Sequence, residues 1–202
     1  MKYLIDTAEQ VEINKWAYFV EGVTSNPKLL DKAGINCYKF FMNNEKTFDN
    51  IFIQVTSLND IKPIIDDSSE YDQLILKVPL IKTPEFDGYA LLKDLVNLGY
   101  RTCSTIVYDI SQFNYACEVG AEFSIVLHAK NDNHNLINEC YNLQQKQGFK
   151  TKTIAASFRT PEHVFECIRS GADYATVPPK IMTEVFRNPQ VLIDYNKFYE
   201  VK

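Results

Sequence analysis

Leu74-Ile75-Leu76-Lys77-Val78-Pro79-Leu80 is an apolar run that carries a single charge. Its length and branched aliphatic content read as a strand covered on both faces, which is how strands of a parallel sheet read. Lys77 is the anomaly. An ammonium in such a strand must be paired or must give up its proton, because loss of water disfavours the charged form. A neutral amine attacks carbonyl carbon and forms a Schiff base. From this run alone, a lysine at a sheet edge or strand end, snorkelling to water, is equally open. Pro79 marks the strand's end, which in a parallel barrel is the mouth where active sites are built.

Working outward, similar short runs rich in β-branched and aromatic residues recur at 2–6, 20–24, 51–56, 102–107, 122–127, 152–156 and 173–177, giving eight strands with 73–78. Helical spacing separates most of them, as in Ala90, Leu91, Leu95 and Leu98. Parallel strands need such crossovers. Gly99, Gly120, Gly148 and Gly171 each close a helical stretch shortly before a strand, as helix-ending glycines do. A faint repeat accompanies them: Gly120-Ala121-Glu122-Phe123 and Gly171-Ala172-Asp173-Tyr174. A closed barrel and an open doubly wound sheet both fit this alternation. The strand count, and the lack of a Gly-x-Gly-x-x-Gly turn after the first strand, favour a (β/α)8 TIM barrel. No Pro-, Gly- or Ser-rich linker divides the chain, so the expectation is one domain over residues 1–202.

Composition narrows the function classes. The chain is 46% apolar and 23% charged, as soluble globular proteins are. A net charge of -5 argues against nucleic acid as a partner. No apolar stretch is long enough to span a membrane. The start, Met1-Lys2-Tyr3-Leu4-Ile5-Asp6, runs straight into a strand without the pattern of a signal peptide, so the expected location is the cytoplasm. Cys37, Cys103, Cys117, Cys140 and Cys167 are odd in number and show no zinc or disulfide spacing, which reads as reduced thiols. His128, His134 and His163 lack ligand spacing, so no metal is expected; His163 reads as a surface residue, and His128 as able to reach the mouth.

Other strand ends carry polar residues, each with two readings. Asp6 closes the first strand, either as a general base or as the cap of the next helix. Thr24-Ser25-Asn26-Pro27 either faces a ligand or is a strand-to-helix turn with proline at the first helical position. Ser157 and Arg159, at the end of the seventh strand, suit a phosphate, or Ser157 or Thr160 caps the helix from Pro161 while Arg159 is solvated.

Taken in order, Tyr3-Leu4-Ile5-Asp6-Thr7-Ala8, Gly22-Val23-Thr24-Ser25-Asn26-Pro27, Leu76-Lys77-Val78-Pro79, Thr105-Ile106-Val107-Tyr108 and Ala155-Ala156-Ser157-Phe158-Arg159-Thr160-Pro161 resemble the small transaldolase family, which includes fructose-6-phosphate aldolase. The resemblance runs from Lys2 to about Phe198. It implies an α/β barrel with a Schiff-base lysine at Lys77, no cofactor, and a sugar-phosphate substrate such as fructose 6-phosphate. It further implies that Asp6 handles the hydroxyl proton and that Asn26 holds the dihydroxyacetone hydroxyls, with Thr24 and Ser25 expected to bind substrate. Thr105 and Gln54 would hold a water, and Ser157, Arg159 and Lys130 the phosphate. Gln54 leans toward the aldolases, since transaldolases resembling this chain tend to carry Glu there. The chain departs from the pattern at Leu127, where an aromatic is usual (a tyrosine that orients the water in the aldolases). Lys130 stands for an arginine, as a point charge rather than a fork, and Cys103 stands where transaldolases often have Asn. The loop from Lys130 to Asn135 and the C-terminal helix are short. Three readings follow: an aldolase, a transaldolase proper of the pentose phosphate pathway, and a weakened barrel that binds a sugar phosphate. The family's ring assembly makes a homo-oligomer, pentamer or decamer, a further expectation.

Overall fold

The computed structural model, which describes residues 1–67 and 71–199, joins eight parallel strands in sequence order and pairs the last with the first, a closed barrel. The strands are β1 (Lys2–Asp6), β2 (Val23–Thr24), β3 (Ile51–Gln54), β4 (Leu74–Pro79), β5 (Thr102–Val107), β6 (Phe123–Leu127), β7 (Lys152–Ala156) and β8 (Tyr174–Val177). Helices return the chain between them: α1 (Gln10–Trp16), α2 (Pro27–Ala33), α3 (Cys37–Asn44), α4 (Lys62–Asp67), α5 (Gly88–Asn97), α6 (Ile110–Glu118), α7 (Leu136–Gln147), α8 (Pro161–Arg169) and α9 (Pro179–Phe186). A last helix, α10 (Pro189–Tyr199), follows. Residues 68–70 and 200–202 of the expected domain lie outside the described residues. No helix among the described residues is long and apolar enough to cross a membrane.

Closure removes the open-sheet alternative and leaves Lys77 no sheet edge to occupy. Two strands are shorter than the sequence suggests. Val20 and Glu21 fall outside β2, which begins after Gly22 passes the backbone of Asn50 so closely that an added Cβ would lie 2.2 Å from the Asn50 carbonyl oxygen. β3 stops at Gln54, because the Asp60 carboxylate accepts the backbone N–H groups of Thr56 (2.6 Å) and Ser57 (3.0 Å) and turns the chain into a 3-10 turn.

Alternation along the strands sorts the core into two layers. Between strands and helices lie Ile5, Val23, Ile53, Leu76, Val78 and Val126, against Phe40, Phe41, Leu92 and Phe113 of the helices. Inside the barrel, Leu4, Phe52, Ile75, Cys103, Phe123 and Ile154 fill the lower half. The repeat has its meaning here. Phe123 and Tyr174, the first residues of β6 and β8, meet edge-to-face at 5.6 Å, and Phe52 meets Phe123 at 5.2 Å, so aromatic rings plug the floor. The acids before them work outside the floor: Asp173 accepts the Thr153 N–H (2.9 Å), and Glu122 pairs with Arg101.

Arg101 bolts the bottom rim. Its guanidinium donates to both Glu122 oxygens (2.8 Å each), the carbonyls of Asp49 (2.8 Å) and Asp72 (2.7 Å), and Asn50 Oδ1 (2.8 Å), thereby tying the entries of β3 to β6. Arg101→Ala removes this set of charge-assisted bonds across four strand entries and should cost about 2 kcal/mol, or roughly 4–8 °C in Tm for a chain of this size. Thermal unfolding checks this, and a shift under about 1 °C contradicts the bolt.

Candidate active site

The upper half of the barrel is polar and open. A cavity of about 470 Å³ lies at the C-terminal strand ends, lined by Asp6, Thr24, Asn26, Gln54, Lys77, Thr105, Leu127, Lys130, Ala156, Ser157 and Thr176, with Pro27, Lys28, Ile106 and Ile125. This size suits a small organic ligand. The register explains the convergence: Gln54 lies beside Lys77, Pro79 beside Thr105, and Asp6 beside Thr24.

Lys77 is only 5% exposed, and its Nζ donates to the Ser25 carbonyl. Burial lowers its pKa, against the opposing pull of Asp6 and, more weakly, Cys103. The snorkelling alternative therefore fails on position. Burial likewise raises the pKa of Asp6, while Lys77 and the Thr24 hydroxyl, which donates to Asp6 Oδ1 at 3.0 Å, counteract it. Asp6 caps no helix: the residue before α1 is Glu9, whose N–H is taken by Thr7. A buried amine and a half-buried carboxylate thus share the mouth, both drawn toward neutrality by desolvation.

At β2 the turn reading holds, and its asparagine borders the cavity. Asn26 Oδ1 accepts the Leu29 N–H (3.1 Å) and caps α2, with Pro27 at its first position, while Asn26 also lines the cavity. Its amide nitrogen is left to donate elsewhere. Ser25 is buried outside the lining and reaches the site through its carbonyl alone. Of the residues expected at a phosphate, Ser157 and Lys130 line the cavity, whereas Arg159 is exposed and does not. The Arg159 N–H donates to His163 Nδ1 at 3.4 Å, and Thr160 makes no side-chain cap for α8.

Two lining residues hold a left-handed backbone: Ile106 (φ 61°) and Ser157 (φ 70°). For a β-branched residue this is an outlier, costing on the order of 1–3 kcal/mol. Ile106 lies where the β5–β6 register shifts between Ser104 and Val107, a bulge that re-aims the strand end beside Thr105. Sequence reasoning passed over Lys28, Ile106, Ile125 and Thr176. Each lies within or beside a motif that was read, but none is of a type that stands out in its run.

The histidines gather away from the cavity. His128 is buried, and its Nε2 lies 3.0 Å from Glu166 of α8, rather than reaching the mouth. Its ring stands 6.1 Å from that of His134 and 5.9 Å from that of His163, which is half-buried rather than on the surface. The contact with His128 holds the Glu166 carboxyl below its usual range. No group of three or more His, Cys, Asp or Glu among the described residues is arranged to hold a metal ion.

The fold and site define a class: a parallel barrel with a buried amine and a half-buried carboxylate at its mouth. A profile of the transaldolase/fructose-6-phosphate aldolase family matches residues 3–201, and the chain belongs to that family. It is 33% identical to a probable transaldolase of Carboxydothermus hydrogenoformans over 98% of this chain and 96% of that one. It is 29% identical to a probable transaldolase of Clostridium tetani, over 94% and 92% respectively. Solved structures share the fold. A cube-shaped protein cage designed from fused symmetric oligomeric domains superposes with TM-score 0.65 at 9% identity, over 98% of this chain and 76% of the other. A structure described as native KDPGal superposes with TM-score 0.59 at 12% identity, over 93% and 84%.

Proposed function

We propose that the protein is a class I Schiff-base aldolase or transaldolase that acts on fructose 6-phosphate or a related ketose phosphate, with residues 1–202 as one catalytic domain. The reading is carried by the buried Lys77 amine beside the half-buried Asp6 carboxylate in a chain of this family. The neutral amine adds to the ketone carbon, and loss of water leaves an iminium. Asp6 takes the proton of the C4 hydroxyl. The electron pair of the C3–C4 bond moves toward the iminium nitrogen, and an aldose phosphate departs. The dihydroxyacetone unit stays on Lys77 as an enamine. Asn26 and Thr24 hold its hydroxyls, and the Ser25 carbonyl positions the amine. Thr105 and Gln54 hold the water that makes and breaks the imine. Ser157 and Lys130 bind the phosphate, and Arg159 joins them by swinging in from solvent. No cofactor enters these steps.

A second reading, transfer of the unit to another aldose rather than its release, is favoured by Leu127, which brings no hydroxyl to the cavity wall. Gln54 pulls the other way. Assembly into a homo-oligomer has its support in α10, none of whose residues is buried and which exposes Val191, Leu192, Ile193, Tyr195 and Phe198. The cytoplasm fits the reduced state proposed for the five cysteines.

The test is borohydride reduction in the presence of dihydroxyacetone or fructose 6-phosphate, followed by peptide mapping. An adduct on Lys77 is expected. With an acceptor aldose added, faster turnover marks the transaldolase and unchanged release the aldolase. A folded protein that gives no adduct with either ketose overturns the reading.

A further inference from the structure

Thr176 has no role in the reaction as set out above, yet its hydroxyl lies at the end of a chain that begins on Asp6. It is the third residue of β8, 4% exposed, and it lines the same cavity. Its Oγ1 lies 2.5 Å from Thr24 Oγ1, and Thr24 Oγ1 donates to Asp6 Oδ1 at 3.0 Å. Three strands supply the three groups. β1 pairs with β2 on one side, where Asp6 lies beside Thr24, and with β8 on the other, where Leu4 lies beside Thr176.

We propose that Thr176 is a positioning residue for carbon–carbon cleavage: its hydroxyl orients that of Thr24, so that the two-hydroxyl chain serves Asp6 both before and after it takes the substrate's proton. The role rests on the Schiff-base reading given above. The argument follows from hydrogen counts. A threonine hydroxyl has one hydrogen to give and lone pairs to accept with. While Asp6 is ionised it can only accept, so Thr24 gives it that one hydrogen. The Thr24–Thr176 contact must then be donated by Thr176. This fixes the rotor of a hydroxyl that would otherwise be free to turn away from the carboxylate.

Once Asp6 carries the proton from the C4 hydroxyl, it is a donor. The chain can then run in reverse: Asp6 donates to Thr24, Thr24 to Thr176, and the Thr176 hydrogen turns into the cavity that the residue lines. Only hydrogens move. Without the Thr176 hydroxyl, the reversed Thr24 hydrogen loses its fixed acceptor at the end of the chain, so the protonated state of Asp6 would be less well held. Imine formation lies outside this chain, since the Lys77 amine is held from the Ser25 carbonyl.

Valine matches threonine in shape but lacks the hydroxyl, and serine restores it. The experiment compares wild type, Thr176→Val and Thr176→Ser in the full chain. It measures kcat and KM for cleavage of fructose 6-phosphate, and the rate of borohydride-trapped adduct formation with dihydroxyacetone. For Thr176→Val, kcat should fall roughly 10-fold while KM and adduct formation stay within about twofold, and Thr176→Ser should recover most of the loss. Thr176→Val that cleaves at the wild-type rate overturns the proposal. So does Thr176→Ser no faster than Thr176→Val, or an adduct rate that falls in step with cleavage. A wild type that forms no adduct overturns the Schiff-base reading itself, and this role with it.

Discussion

Lys77→Met should end turnover altogether and leave a protein at least as stable as the wild type. Methionine keeps the length and apolar stem of the side chain but removes the nucleophile, so neither imine nor cleavage product forms. The stability half follows from linkage. Burial lowers the Lys77 pKa, so the folded state holds this proton less tightly than the unfolded chain does. The penalty for the charged lysine is full below its folded pKa. It fades as pH rises from there to the ordinary value of 10.5, because the unfolded chain binds more protons across that window. Lys77→Met lacks the penalty, so its advantage should be largest below the folded pKa of Lys77 and shrink as pH rises from there toward 10.5. Product formation by Lys77→Met, or a large loss of stability at neutral pH, contradicts the assignment. The loss of the donor to the Ser25 carbonyl opposes the gain, so a small net change is compatible with it.

Asp6→Asn separates the two halves of the chemistry. Cleavage needs a base for the hydroxyl proton, and loss of one slows such steps by about 10²–10⁴-fold. The amine survives, so borohydride should still trap dihydroxyacetone on it. Asp6 opposes the lowering of the Lys77 pKa, because a carboxylate favours the ammonium. Without that charge the pKa falls further. The pH at which adduct formation levels off should therefore move down in Asp6→Asn. In wild type, cleavage should fade as pH drops through the Asp6 pKa, which burial holds above the ordinary 3.8. Equal loss of trapping and cleavage in Asp6→Asn, or a plateau that moves up, contradicts this division of labour.

The barrel was legible wherever local pattern and tertiary demand agree. β4 stands out because one charge interrupts an apolar run, and helix-ending glycines set the register between units. Gly148 and Gly171 hold the left-handed backbone (φ 70° and 85°) that such endings use. The polar strand ends were harder, since a cap and a ligand-facing residue look alike in sequence. Asn26 caps α2 and borders the cavity. What stayed hidden depends on long-range closure. Thr176 sits in Tyr174-Ala175-Thr176-Val177, where threonine is an ordinary strand residue, and only the β8–β1–β2 neighbourhood gives its hydroxyl a partner. The three histidines come together across β6 and α8 with no local spacing to announce it. Ile106 inverts a propensity: a branched residue argues against the left-handed turn it makes.

The aromatic plug of Phe52, Phe123 and Tyr174 bears on the order of events. With the floor of the barrel filled by these rings, the cavity lies open at the strand ends. Under the proposed chemistry, the departing aldose and any incoming acceptor use the same doorway and the same phosphate contacts. The acceptor cannot enter until the first product has gone, while the three-carbon fragment waits on Lys77. Two-substrate kinetics should then be ping-pong, with parallel double-reciprocal lines, and the released aldose should inhibit in competition with the acceptor.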